Sequence, residues 1–175
     1  RFLPTTADQV YRAARGESPR IRGAVAATRG EFLTYRGAAI LAAYHASSGG
    51  QTAAADEVWV TPLPYLVSRP VRGEEVASDS YWRASVSRTT LGRALAPLGV
   101  RVGELRSLHV DEWSASGRAA RVWVRGTRGE RGVDATALRR ALGEERIRST
   151  RFEIEATERG FIFSGTGFGH GVGMS

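Results

Sequence analysis

A chain of 175 residues, 42% hydrophobic and 25% charged, can bury a sizeable core without covalent staples, which excludes a wholly disordered polymer. It holds no cysteine, and all 25 basic residues are arginine. That excludes disulfides, thiolate metal sites, thiol nucleophiles, lysine Schiff bases and the lysine of a P-loop. The net charge of +7 and pI near 10.8 predict an anionic partner.

The arginines are scattered and show no basic stripe interleaved with aromatics, so the pattern argues against nucleic acid and for another polyanion such as a cell wall. The chain opens RFLPTT, with neither an initiator Met nor a signal-peptide pattern, so any export signal is expected upstream. Its longest apolar stretch, Ala38 to Tyr44, is far short of the ~18 residues of a membrane span.

In chain order, Phe32–Tyr35 and Ala39–His45 read as strands joined by an Arg36-Gly37 turn. The run Ala46–Gly50 breaks the backbone, and Thr61–Pro70, with three prolines, predicts an extended loop. Tyr81–Ser87 alternates as a strand. Thr89 or Thr90 is then expected to cap a short helix with Leu91, Leu95 and Leu98, ended by Gly99. Leu105–Val110 and Arg118–Arg125 predict a hairpin through Ser116-Gly117. Asp134 caps a helix Ala135–Leu142 stopped by Gly143. Phe152–Glu155 and Phe161–Phe163 read as an antiparallel pair. Strands and helices mix without a βαβ rhythm, so the expected fold is α+β: one domain of short antiparallel strands with two or three short helices.

Two tracts carry candidate chemistry. Glycine stands at 165, 167, 169, 171 and 173. In an extended chain this leaves one bare face, open to a backbone or a flat sugar ring, and sets Thr166, Phe168, His170 and Val172 on the other. The second tract, Tyr44 to Thr52, gathers an imidazole, two hydroxyls and a carboxamide about a glycine turn. That set suits a hydroxyl-rich ligand, or equally a turn capping its own backbone. Ser47 and Ser48 are not in a G-x-S-x-G elbow, and three histidines without H-E-x-x-H do not predict a metal. Glu153 and Glu155 read as a solvated strand face, His109 as structural or exposed, and Glu57 as the acid nearest the polar turn.

Together, QVY (Gln9 to Tyr11), TRGEFLTYRGAAILAAYHASSGGQTAAADEVW, LPYL, SGR, LRRALG, RSTRFEI and GTGFGHGVGMS resemble the SpoIID/LytB family over nearly the whole chain. The resemblance implies a domain spanning 1–175, incomplete at both ends and completed by an N-terminal helical region. It implies a peptidoglycan lytic transglycosylase acting on the β-1,4 bonds between N-acetylmuramic acid and N-acetylglucosamine of peptide-stripped glycan strands. The alternative is a non-catalytic wall module that enhances a partner N-acetylmuramoyl-L-alanine amidase. Either implies an extracytoplasmic location and a glycan partner, with no nucleic acid.

The family's catalytic glutamate lies before a segment like A-L-K-A-Q-A-V-A-A-R-T, so the acid is expected upstream of Arg1. Where some members carry a zinc-binding C-D-T-T-H-C stretch, this chain reads Leu3 to Asp8 without cysteine or histidine, so no metal and no cofactor are expected. The residues expected to line the glycan cleft are His45, Ser47, Ser48, Gln51 and Thr52, opposite Gly167, Gly169 and His170.

Overall fold

The computed structural model describes residues 18–59, 61–74 and 80–175. The QVY segment and Leu3 to Asp8 lie outside the described residues. The chain divides into two units, residues 1–40 and 41–175.

In the first unit, α1 (Pro19–Ala27) starts where the Ser18 hydroxyl accepts from the Ile21 N–H, with Pro19 in the first turn, where its missing donor is harmless. It buries none of its residues. Strands β1 (Thr34–Tyr35) and β2 (Ala38–Ala39) pair antiparallel. Their two-residue turn has positive φ at both Arg36 (52°) and Gly37 (81°), the twist that suits a tight hairpin. The turn is where the sequence predicts it, but the second strand ends at Ala39 and does not reach His45.

The second unit begins with a single helical turn, α2 (Ala55–Val58). Strand β3 (Tyr81–Ser87) follows, with Trp82, Ala84 and Val86 buried and the alternate residues exposed. Helix α3 (Arg88–Leu95) is capped by Ser87, whose hydroxyl accepts from the Thr90 N–H at 3.1 Å. The cap therefore precedes the expected threonines: the last residue of the strand is itself the helix start signal. A one-turn 3-10 helix, Ala96–Leu98, closes on Gly99.

A three-stranded meander comes next: β4 (Leu105–Trp113), β5 (Ala119–Gly126) and β6 (Gly129–Asp134). Val122 and Val124 of β5 are fully buried, as their alternation predicts. Strand β6 was not expected, because GERGVD buries only Val133 and carries no alternating pattern. Helix α4 (Ala135–Leu142) begins at Asp134, whose carboxylate accepts from Ala137 N–H at 2.7 Å, and ends at Gly143. Strands β7 (Phe152–Thr157) and β8 (Gly160–Thr166) complete a second sheet, ordered β3-β8-β7 and antiparallel throughout.

The class is α+β. The described residues hold four α-helices rather than two or three, because α1 and the four-residue α2 have no apolar periodicity to announce them. The core joins both sheets to α3 and α4: Phe152 and Phe163 meet edge-on at 5.3 Å, in one cluster with Trp82, Leu91, Leu95, Leu138 and Ile147. These are groups of ~2 to 3 kcal/mol each on burial.

Candidate functional site

The site is built from loops. Residues 41–54 and the glycine run beyond β8 are stitched together by backbone bonds between segments far apart in sequence. His45 N–H donates to Met174 O at 2.9 Å, and Ser47 and Phe168 exchange both bonds at 3.0 and 2.8 Å. Ala53 N–H donates to Gly171 O at 2.8 Å, and Met174 N–H donates to Ala43 O at 2.9 Å. Ala53, Ala55, Leu66 and Val172 form a small buried apolar cluster beneath them.

The glycine run is not an extended strand with a bare face. Gly167, Gly169, Gly171 and Gly173 all take positive φ, so the segment kinks at every second residue. The glycines are needed for this conformation and for close approach. A Cβ at Gly167 would lie 2.9 Å from Ser47 O, and one at Gly171 would lie 2.1 Å from a guanidinium nitrogen of Arg118.

All eight expected residues fall in this cluster, though in different settings. Ser47, Ser48 and Thr52 are buried, as is Gly167. Ser47 Oγ accepts from Gly49 N–H at 3.3 Å and Ser48 Oγ from Gly50 N–H at 3.2 Å, so both hydroxyls cap their own turn. Thr52 Oγ1 accepts from Arg69 N–H at 2.8 Å, and Gln51 Nε2 donates to Ser68 Oγ at 2.8 Å. Gly169 N–H donates to Arg148 O at 2.9 Å.

His45 is buried, and its Nδ1 bonds the Val172 carbonyl at 3.1 Å. Nδ1 therefore carries the proton, and Nε2 is a buried lone pair with no partner among the described residues. His170 is half-buried, and its Nδ1 accepts from Val172 N–H at 3.0 Å, which leaves the proton on Nε2. The two rings lie 5.8 Å apart, with Trp59 5.3 Å from His170. Burial, and after it repulsion from His45 whenever that ring takes up a proton, lowers His170 to about 4. Burial likewise lowers His45. Both imidazoles are thus neutral at pH 7, the free acceptor of His45 buried and the His170 ring also held by the Tyr44 backbone. His109, by contrast, lies exposed on β4, and Glu153 and Glu155 are exposed on β7.

Three charged residues organise the cluster, and only Glu57 was singled out from sequence. The Glu74 carboxylate accepts from the N–H groups of Ser48 and Gly50 at 3.0 Å each, and from the hydroxyls of Ser48 and Ser175. Burial pushes this carboxyl up, but those donors outweigh it and hold it at about 2. Glu57 accepts from Ala54 N–H at 3.2 Å and from the N–H and hydroxyl of Ser116, tying α2 to the β4–β5 turn. Burial again opposes ionisation, and the Ser114 and Ser116 hydroxyls prevail, so Glu57 too sits below its usual range. Both carboxylates are ionised and bonded, a poor state for donating a proton.

Arg118 is 2% exposed, and its Nη2 donates to Ser48 O at 2.7 Å and Gln51 O at 3.2 Å. Burial brings it down to about 10, and the neighbouring Arg151 charge adds to this. It remains a cation at pH 7. Beyond the SGR motif, nothing local in the sequence marked Arg118, and Glu74 sits in an unremarked VRGEE run.

Among the described residues, no group of three or more His, Cys, Asp or Glu side chains is placed to hold a metal ion, and no helix is long and apolar enough to cross a membrane. A family model described as a domain of unknown function, DUF8618, matches residues 71–173. The chain is 26% identical to the amidase enhancer of Bacillus subtilis, covering 98% of this chain and 30% of that protein. It is 29% identical to stage II sporulation protein D of the same organism (89% of this chain, 43% of that one). It is also 29% identical to an uncharacterized protein of Brachyspira hyodysenteriae (97% and 45%). The chain thus spans less than half the length of these curated relatives. With the family model covering more than half of its residues, the chain belongs to the DUF8618 family, and its relatives make it a SpoIID/LytB-like protein.

Proposed function

We propose that this chain is an extracytoplasmic, peptidoglycan-directed domain that binds glycan strands. In this reading it forms the binding body of a lytic transglycosylase acting on the bonds between N-acetylmuramic acid and N-acetylglucosamine. The observation that carries the reading is the chemistry of the loop cluster. A half-buried neutral imidazole, a carboxamide and an indole ring gather beside a glycine-lined backbone, with a second, buried imidazole behind them. Such groups suit a ligand rich in hydroxyls and acetamides.

His170, Gln51 and Gly169 are the half-buried members and are the ones assigned to touch sugar. Ser47, Ser48, Thr52, His45 and Gly167 are assigned to hold the backbone that presents them. Glu57 and Glu74 are ionised and bonded, so neither is assigned the cleavage step; that role is assigned to the carboxyl group the family resemblance puts upstream of Arg1. The test is sedimentation of the purified chain with insoluble, peptide-stripped peptidoglycan, followed by mass spectrometry of the supernatant. Retention in the pellet without 1,6-anhydromuramoyl products is expected. Failure to sediment refutes binding, and anhydromuramoyl products refute the placement of the acid.

A second reading is favoured by the relative named amidase enhancer, which this chain matches over 98% of its length. In that reading the domain binds the wall and stimulates an N-acetylmuramoyl-L-alanine amidase without cutting glycan. Adding the chain to an amidase assay on intact wall separates the two: a raised rate supports the enhancer, and an unchanged rate leaves the transglycosylase body.

A further inference from the structure

A groove of about 700 Å³ lies between the sheet of β3, β8 and β7 and the turn that joins β4 to β5. Tyr81 and Trp113 flank it and are 69% and 48% exposed, outside the hydrophobic core. Two open aromatic faces lining one concavity are a stacking surface for a flat, partly apolar ring. Arg83 and Arg151 line the same groove against one carboxylate, Glu153, and neither arginine forms an ion pair among the described residues.

Two glycines in the groove lining allow close packing there. The indole of Trp82 packs on Gly165, where a Cβ would come within 2.4 Å of the ring, and the Arg151 guanidinium carbon lies 3.9 Å from where a side chain would begin at Gly117. The Trp82 indole N–H and Arg151 Nη1 are buried donors with no hydrogen-bond partner among the described residues. Exposed aromatic faces and surplus guanidinium charge in one groove suit a ligand that offers ring faces together with anionic oxygens.

We propose that this groove is a glycan subsite selective for sugar rings that carry a carboxylate. The ring faces stack on Tyr81 and Trp113, and the carboxylate meets Arg83 and Arg151. The inference rests on the glycan-binding reading above and adds to it where the strand lies and what it must carry. Tyr81 and Thr166 also line a smaller cavity of about 130 Å³ beside Gly49, Gly50 and Glu74. A strand seated in the groove therefore continues towards the loop cluster.

The experiment titrates the purified chain by calorimetry with two probes. One is a peptide-stripped peptidoglycan tetrasaccharide bearing lactyl carboxylates; the other is chitotetraose, which has the same backbone and acetamides but no carboxylate. Wild type is expected to bind the carboxylated probe about 10-fold more tightly, a difference of one charge-assisted contact. The double variant Arg83→Gln/Arg151→Gln abolishes that preference and keeps the affinity for chitotetraose. Tyr81→Ala/Trp113→Ala weakens both probes about 10-fold or more. Glu153→Gln strengthens only the carboxylated probe. All four side chains of the double variants line the groove, and thermal melting confirms that each variant stays folded.

Equal affinity of wild type for the two probes overturns the selectivity. Variants that bind both probes like wild type overturn the subsite while leaving glycan binding intact. If wild type binds neither probe, the glycan-binding reading falls and the subsite with it. A polyglutamate peptide that binds with the same variant dependence, in place of glycan, overturns the proposal in favour of protein docking.

Discussion

The two sheets with α3 and α4 and the loop cluster around Val172 are both buried, yet they are held in opposite ways. The first region is a side-chain structure: Phe161, Phe163, Leu91 and Val122 are all at most 1% exposed, and strand pairing follows from their alternation. The second is a backbone structure. Its apolar cluster is small, and its cohesion comes from hydrogen bonds between residues 41–54 and 166–174, from the Glu74 clamp and from the Arg118 guanidinium beneath the turn. A region of the first kind tolerates exchange of one apolar group for another of like volume. The second tolerates almost no added atom, because its backbones are in contact. The candidate binding residues sit in the second kind of structure, where a rigid main chain places polar groups without an apolar core of their own.

The largest expected effect tests the first region. Phe163→Ala removes a fully buried ring packed on Phe152 and should cost about 3 to 5 kcal/mol in urea unfolding. If the loop cluster depends on the sheets for its seat, the His170 proton resonance is lost in the same transition. A resonance that outlasts the sheets shows the cluster to be self-supporting.

Gly171→Ala tests the second region. The residue has φ 81°, and the new methyl would meet Arg118 Nη2 at 2.1 Å. A loss of about 2 to 4 kcal/mol is expected, from strain plus displacement of the guanidinium. Hydrogen exchange should quicken at Ala53 and Ser47 while the amides of β5 and β8 stay protected. Uniform loss of protection across both regions would erase the distinction between them.

The smallest effect at neutral pH is electrostatic. His170 is lowered to about 4 in the folded chain, against an ordinary 6.5, so the unfolded chain takes up the proton first. The cluster's stability is therefore complete above pH 6.5 and falls as pH drops from 6.5 towards 4. Glu74, lowered to about 2 from 4.5, adds a second loss between those values as its clamp is protonated. An NMR titration of His170 checks the first window: a midpoint near 4 is expected, and one at 6.5 would mean that the ring is solvated and the cluster open.

What could be read in advance follows the same division. β3, α4 and the β7–β8 pair are legible because each carries its own local signal: alternation in YWRASVS, an aspartate cap and glycine stop about ATALRRAL, and aromatic runs either side of a turn. Strand β6 is not legible in the sequence because it joins the meander by pairing with β5, with one buried side chain of its own. The glycine run stands out in the sequence, where its alternation suggests an extended strand; the structure kinks it instead. Alternating glycines are compatible with a flat strand and with a chain kinked at each glycine, and only the partner backbone at 43–53 selects the second. Glu74 and Arg118 carry no local signal of their roles, which are contacts with a turn that lies 24 to 70 residues away.

By itself, then, the sequence determined the α+β class, most of the paired strands, the caps of α4 and the two tracts that meet in the candidate site. Those features depend on periodicity and on residues within a few positions of each other. Only the tertiary structure decided that the serines cap their own turn, that both site carboxylates are ionised and bonded, that the two imidazoles are neutral with opposite tautomers, and that Tyr81, Trp113, Arg83 and Arg151 share one groove. Protonation state, burial and concavity are properties of the surroundings of a side chain, and here those surroundings are supplied by segments up to 127 residues distant.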